Sequence, residues 1–191
     1  MSAQATSRAD DIADAAAVVF QRYGLRKASM DDLAAAAGLS RQGLYLHFKT
    51  KEALFQASLR RILRRQQEAV SRALVPDDRA LFERLSAALD YLHGEYTVIY
   101  HGTTAELIEA AATLGQSLLN ETTQIITREL ATALTDAGVA DRWHGASVTS
   151  DQLASLLLSA VVGSAQLYPD DNDSPSRLRT ILTVVLAGSP S

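Results

Sequence analysis

Residues 29–55 read SMDDLAAAAGLSRQGLYLHFKTKEALF, and this segment carries the strongest structural signal in the chain. Ser29 can cap a short helix that has an acidic residue three positions on and ends at Gly38. Ser40 is a second cap only two residues past that glycine, and a helix over 41–47 follows it. Two short capped helices joined by a tight glycine turn are typical of a helix-turn-helix, a motif that places its second helix in the major groove of DNA.

The spacing within the second helix separates an inner face from an outer face. Leu44 and Phe48 are four residues apart and are expected to point inward, which leaves Leu46 among the outward residues. Arg41 and Gln42 lie in the first turn, the part of a recognition helix that meets base edges. Arg pairs with guanine and Gln with adenine, and side chains with donors for phosphate oxygens flank them. The predicted DNA-contacting residues are Ser29, Met30, Ser40, Arg41, Gln42, Gly43, Tyr45, His47, Lys49 and Lys51.

Several of these residues also have a purely structural interpretation. Tyr45 and His47 could be half-buried polar edges of a small three-helix core, and Arg41 could be a solvated charge. Charge patterning favours DNA: residues 1–75 carry 12 Lys and Arg against 7 Asp and Glu, a net charge of +5. The remainder carries −9, so a basic third precedes an acidic body, although a chance fluctuation on a solvated surface would look the same.

Helical periodicity extends over the rest of the chain. A first helix is predicted between a cap at Ser7 and Gly24, and Thr50 caps a long helix that ends near Leu74. That long helix spans about 36 Å, enough to connect two domains. Five more helices are predicted near 78–100, 103–114, 116–137, 149–168 and 174–187.

The predicted fold class is all-α, with an N-terminal three-helix helix-turn-helix DNA-binding domain over 1–50. A larger helical domain for ligand binding and dimerisation follows over 51–191.

Composition excludes several other classes of protein. The 191 residues contain no cysteine, so disulfide scaffolds, thiolate metal sites and cysteine nucleophiles are ruled out. The N-terminus lacks the apolar core of a signal peptide, and no apolar run approaches the ~20 residues that cross a bilayer. We therefore expect a cytoplasmic protein with no membrane partner.

Enzyme motifs are missing from the sequence. It has no Gly-rich phosphate loop, no His-Glu-x-x-His and no Gly-x-Ser-x-Gly, and the spacing of His93, His101 and His144 matches no metal-ligand pattern. Acid pairs such as Glu106 with Glu109 have the helical spacing of a solvated face. We expect no enzymatic activity, no cofactor and no metal.

The C-terminal part offers weaker signals. A mostly apolar pocket is predicted from aromatic and polar residues, which could equally be core aromatics with satisfied hydroxyls. These candidate ligand-binding residues are Tyr91, Tyr96, Tyr100, His101 and Trp143. The arginines at 60, 61, 64 and 65 are expected to be solvated or ion-paired.

Residues 8–55 resemble the DNA-binding domain of the tetracycline-repressor (TetR) family. The resemblance rests on Ser29-Met30-Asp31-Asp32-Leu33-Ala34, on Ala37-Gly38-Leu39-Ser40 and on Leu44-Tyr45-x-His47-Phe48-Lys49-Thr50-Lys51-Glu52-Ala53-Leu54-Phe55. The chain has Gln42-Gly43 and His47 where the family pattern often has Gly-Thr or Gly-Ser and a Tyr.

The resemblance implies a homodimeric transcription regulator, most often a repressor. A small-molecule effector in the C-terminal domain would release it from its double-stranded DNA operator. The last two helices would pair with those of a second subunit, through Leu153, Leu157, Val161, Leu178, Ile181, Leu182 and Val185.

An alternative is an all-helical ligand-binding or protein-interaction module that does not bind DNA. The basic recognition face argues against it.

Overall fold

A computed structural model describes residues 3–168 and 174–188, and within these ranges the chain is helical with no strand. The all-α prediction is therefore confirmed. The helices are α1 Ala3–Lys27, α2 Met30–Ala36, α3 Arg41–His47, α4 Lys51–Leu74, α5 Leu81–Gly102, α6 Ala105–Leu114, α7 Gln116–Asp136, α8 Ser150–Leu167 and α9 Ser174–Ala187. A 3-10 helix, Ala140–Ala146, was not predicted, and α1 begins before the expected cap at Ser7.

The chain divides into two compact units. One unit comprises Met1–Arg65 and Thr103–Asn120, and the other comprises Gln66–Gly102 and Glu121–Ser191. This division differs from the predicted boundary at residue 50. It places the first part of α4 and the whole of α6 with the helix-turn-helix, because both pack on its core.

The core of the first unit is small and built from α1 to α4. Phe20 and Phe55 meet edge to face with ring centroids 5.3 Å apart, and Leu44 of α3 is fully buried among them. Gly24 breaks α1 with φ +77°, a conformation that side chains rarely adopt, so the predicted helix-ending role of this glycine is confirmed.

Helix α6 packs on this core from a distant part of the sequence. Leu107, Ala110, Ala111 and Leu114 form its apolar contact face. The Gln56 side-chain amide donates to the Leu114 carbonyl over 2.7 Å. Sequence periodicity gives α6 an apolar face but does not say which core that face covers.

The second unit has a larger core built from α4, α5, α7, α8 and α9. Leu85, Leu89 and Leu92 of α5 are buried there, as are Ile126, Leu130 and Leu134 of α7. The Trp143 indole N–H donates to the Val185 carbonyl over 2.8 Å, which ties the 3-10 helix to α9. Within the described residues no single helix is both long and apolar enough to cross a bilayer, and only the 3-10 helix with α8, bent by 97°, passes as a pair.

The structure corrects the predicted dimer-interface residues. Six of the seven are at most 3% exposed within a single chain, so they are core residues that a partner cannot reach: Leu153, Leu157, Val161, Leu178, Leu182 and Val185. Ile181 is half-buried against the same core. Because α8 and α9 are apolar on more than one side, periodicity offered two faces, and the predicted face packs inside.

Candidate nucleic-acid interface

Helix α2 begins at a reciprocal cap. The Ser29 hydroxyl accepts from the Asp32 N–H at 3.1 Å, and the Asp32 carboxylate accepts from the Ser29 N–H at 3.1 Å and its O–H at 2.6 Å. These bonds, first that from the hydroxyl, lower the pKa of Asp32. Both donors of Ser29 are thus used within the cap.

Helix α3 is positioned by a turn with equally local causes. Gly38 has φ +65°, as the sharp turn requires, and the Ser40 hydroxyl accepts from the Gly43 N–H at 3.0 Å. Leu44 is 0% exposed and Phe48 is half-buried, which confirms the predicted inner face.

The outer face of α3 is open to solvent. Arg41, Gln42, Leu46 and His47 are exposed, and Tyr45 is half-buried. The helix therefore presents its first-turn base-reading candidates together with side chains that suit phosphate oxygens.

Arg41 already has partners in the free protein. Its Nη1 lies 3.0 Å from Asp31 Oδ2, and its guanidinium carbon lies 5.8 Å from the centroid of the Tyr45 ring. Interaction with Tyr45 and then with Asp31 raises the pKa of Arg41, so it stays cationic. Because an ion pair between exposed side chains contributes little to stability, DNA can draw the guanidinium away at small cost.

Lys51 does more than the sequence suggested. Its Nζ donates to the carbonyls of Arg26 at 3.1 Å and Ala28 at 2.9 Å, and the side chain is half-buried. Lys51 therefore holds the turn between α1 and α2. Its predicted phosphate contact depends on the remaining donor of the ammonium.

Glu106 of α6 holds the same turn, and the sequence did not reveal it. Its Oε1 accepts from the Arg26 N–H at 2.7 Å, and a Cβ added at Gly24 would stand 2.9 Å from its Oε2. The expected solvated role of Glu106 is thus wrong, because this carboxylate is half-buried against the α1 break. No local pattern links two residues that lie 80 positions apart.

Two arginines of α4 form ion pairs with α1. Arg61 pairs with Asp14 at 2.8 Å and with Asp10 at 3.1 Å, and Arg65 pairs with Asp14 at 2.8 Å. The hydrogen bond from Arg61 is the largest cause of the lowered pKa of Asp14. The expected ion pairs are confirmed for these two arginines, and Arg60 and Arg64 are exposed.

The candidate ligand residues of the second unit lie in several places. Tyr96 and Tyr100 stack with centroids 6.5 Å apart, and burial raises the pKa of Tyr96. A ring nitrogen of His101 lies 2.9 Å from the Ala165 carbonyl, and Trp143 bonds to α9. Tyr91 is half-buried.

A cavity of about 600 Å³ lies elsewhere in that unit, and none of the five predicted residues lines it. Its lining includes Leu74, Val75, Arg84, Arg128, Glu129 and Ala133.

Comparison with known proteins identifies the helix-turn-helix. The family described as bacterial regulatory proteins, tetR family, matches residues 12–58. The repressor KstR2 of Mycolicibacterium smegmatis, an HTH-type transcriptional repressor, is 31% identical over 144 residues, which cover 72% of this chain and 68% of that protein. The chain belongs to the TetR family.

Solved TetR-family structures share the whole fold. A TetR-family regulator from Rhodococcus sp. superposes with a TM-score of 0.69 at 23% identity, over 95% of this chain and 99% of that one. AibR, solved with isovaleryl coenzyme A and operator DNA, superposes with a TM-score of 0.57 at 19% identity, over 95% and 100% of the two chains.

TetR-family regulators bind operator DNA and small-molecule effectors, act as dimers and are typically not enzymes. As a member of this family the chain is a DNA-binding transcriptional regulator, and a module without DNA binding is not favoured.

Proposed function

We propose that this TetR-family repressor acts in the cytoplasm as a homodimer that reads its operator with the outer face of α3. The exposed first turn of that helix, fixed from behind by fully buried Leu44, is the observation that carries the proposal. Arg41 and Gln42 read base edges, and Gly43 leaves room for close approach.

The remaining predicted residues hold the phosphate backbone. Tyr45, His47 and Lys49 flank the recognition face, and the Lys49 ammonium is 3.0 Å from the Tyr45 carbonyl. The Ser40 hydroxyl still has a hydrogen that it can donate to a phosphate oxygen. Ser29 and Met30 lie at the start of α2, where the N-terminal end of the helix favours a phosphate. Lys51 supports this surface mainly through the turn that it holds.

The dimer is formed by the faces of α8 and α9 that a single chain leaves open. Leu156 is 54% exposed and Val184 is 57% exposed. Half-buried Ala160 and Gly163 follow Leu156 at helical spacing and permit close approach of a second helix. Burying each exposed side chain stabilises the dimer by about 1.5–3 kcal/mol at most.

The effector occupies the second unit, and its cavity is the first candidate site. A volume of about 600 Å³ suits a small ligand, and apolar Leu74, Val75 and Ala133 stand beside charged Arg84 and Glu129. An effector that binds the DNA-free state more tightly shifts the population away from the operator-bound state.

The experiment begins with selection of a binding site from a randomised duplex pool. Fluorescence anisotropy of full-length protein on that duplex should give binding that weakens steeply with salt, because each neutralised phosphate contributes a slope of about −0.9 in log affinity against log salt. Absence of any salt-sensitive, sequence-dependent binding by an intact dimer would reject the proposal. Isovaleryl coenzyme A, the ligand in the AibR complex, is the first effector probe for release.

A further inference from the structure

The outer face of α3 carries one strongly exposed apolar side chain. Leu46 is 76% exposed, more than any other large apolar side chain whose exposure the structure describes. Single exposed apolar residues are ordinary on protein surfaces. The position of this one, in the helix that faces DNA, gives its exposure a specific meaning.

Helix geometry places Leu46 at the centre of the outer face. Successive residues turn by about 100°, so the direction midway between Leu44 and Phe48 is opposite to that of Leu46. Burial agrees, since Leu44 is fully buried and Phe48 is half-buried. Gln42 lies one turn earlier on the same outer face and is exposed.

The chemistry of Leu46 limits what it can recognise on DNA. A leucine has no donor or acceptor, so it can satisfy neither a phosphate oxygen nor a polar base edge. The apolar group that base edges present in the major groove is the C5-methyl of thymine. Contact with any polar edge would desolvate that edge without replacing its hydrogen bond.

We propose that Leu46 is a specificity-determining residue that reads a thymine methyl group in each half-site. The inference rests on the proposed use of α3 as the recognition helix. Gln42 and Leu46 are about 6 Å apart along the helix axis, and base pairs are stacked about 3.4 Å apart. The thymine therefore lies within about two base-pair steps of the base read by Gln42.

Deoxyuridine scanning tests the contact atom by atom, since uracil differs from thymine only by that methyl group. Each thymine of the selected duplex is replaced by deoxyuridine, and the affinity of full-length wild type is measured. Replacing the contacted thymine in one half-site should lower the affinity about fourfold, the change that corresponds to about 0.8 kcal/mol per buried methyl-sized group. Replacement in both half-sites together should lower the affinity about sixteenfold, the product of two fourfold losses.

The Leu46→Ala variant completes a double-mutant cycle in which the protein side chain and the DNA methyl group are removed separately and together. It should bind the thymine duplex as weakly as wild type binds the uracil duplex, and uracil at that position should cost it nothing further. Leu46→Met should keep the sensitivity. Val18→Ala is the matched control, because Val18 is 67% exposed on α1 and should leave every uracil effect unchanged.

Three outcomes separate the levels of the hypothesis. Thymine sensitivity in wild type that disappears only in Leu46→Ala supports the contact. An operator that is insensitive to uracil, or a sensitivity that survives in Leu46→Ala with an unchanged melting profile, overturns the contact while DNA binding stands. Loss of all specific DNA binding by wild type overturns the proposed function together with the contact.

Discussion

The helices of functional interest in the two units are oriented by different kinds of interaction. In the first unit the starts of α2 and α3 are fixed by neighbours in sequence, Ser29 with Asp32 and Ser40 with Gly43. In the other unit, long helices meet through a core whose partners are far apart in sequence, as when Trp143 bonds to Val185. Local caps fix where a short helix begins and therefore which of its faces points outward. In the second unit, the outward face of a helix is fixed only when distant helices have packed into the complete core.

This difference carries over to function. The recognition face of α3 follows from the buried position of Leu44, and only one face of that short helix is free. Helices α8 and α9 have apolar residues on several sides, so a partner and the core compete for them. The proposed DNA-reading surface is therefore defined by local sequence, and the proposed partner surface is defined by what the core leaves uncovered.

The largest predicted effect tests which face of α9 is core. Leu182 is 0% exposed and Val184 is 57% exposed. Leu182→Glu should unfold the second unit, because an unpaired buried charge costs more than about 4 kcal/mol. Val184→Glu should give a folded monomer, read by circular dichroism melting and sedimentation. If Leu182→Glu instead gave a folded monomer, the dimer interface would lie on the face of α9 that contains Leu182.

A second prediction tests base reading by the outer face of α3. Gln42→Ala should remove about 1–3 kcal/mol of discrimination at one base position in each half-site. Selection from a randomised duplex pool measures it, with wild type selected in parallel. An unchanged site profile would contradict base reading by Gln42.

A third prediction separates two lysines that are close in sequence. Lys51→Ala should lower the free energy of unfolding by about 1–2 kcal/mol, because two carbonyls lose a charged donor. Lys49→Ala should leave stability unchanged and should reduce the salt slope of DNA binding by about one per subunit. Urea denaturation and salt titration distinguish the two variants. Equal stability of the two would refute the role of Lys51 in holding the turn between α1 and α2.

The smallest effect concerns pH and the α2 cap. The lowered pKa of Asp32 means that its ionised form stabilises the folded state above the unfolded pKa, and that this stability is lost as the pH falls through the lower folded value. Ser29→Ala should cost about 1 kcal/mol at neutral pH. In urea denaturation the gap from wild type should narrow below pH 3.8, the ordinary value for Asp. A constant gap would contradict the reciprocal cap.

Prediction from sequence succeeded where the causes were local. The helix over 41–47, the caps at Ser29 and Ser40 and the breaks at Gly24 and Gly38 all stand as expected. The DNA-contacting roles of the outer residues stay predictions. For the effector site, aromatic composition indicated Tyr96 and Tyr100, while the cavity lies among residues that no pattern marked.

The amino-acid sequence alone was enough to predict an all-α chain, the boundaries of α2, α3 and α4, the helix-turn-helix and the family that these imply. Caps, glycine turns and helical periodicity are interactions within a few residues, and such interactions can be read along the chain. The contact of Glu106 with the α1 break and the place of Leu182 in the core became visible only in the folded chain. These outcomes depend on which helices meet, and periodicity describes the face of one helix without naming the surface that covers it.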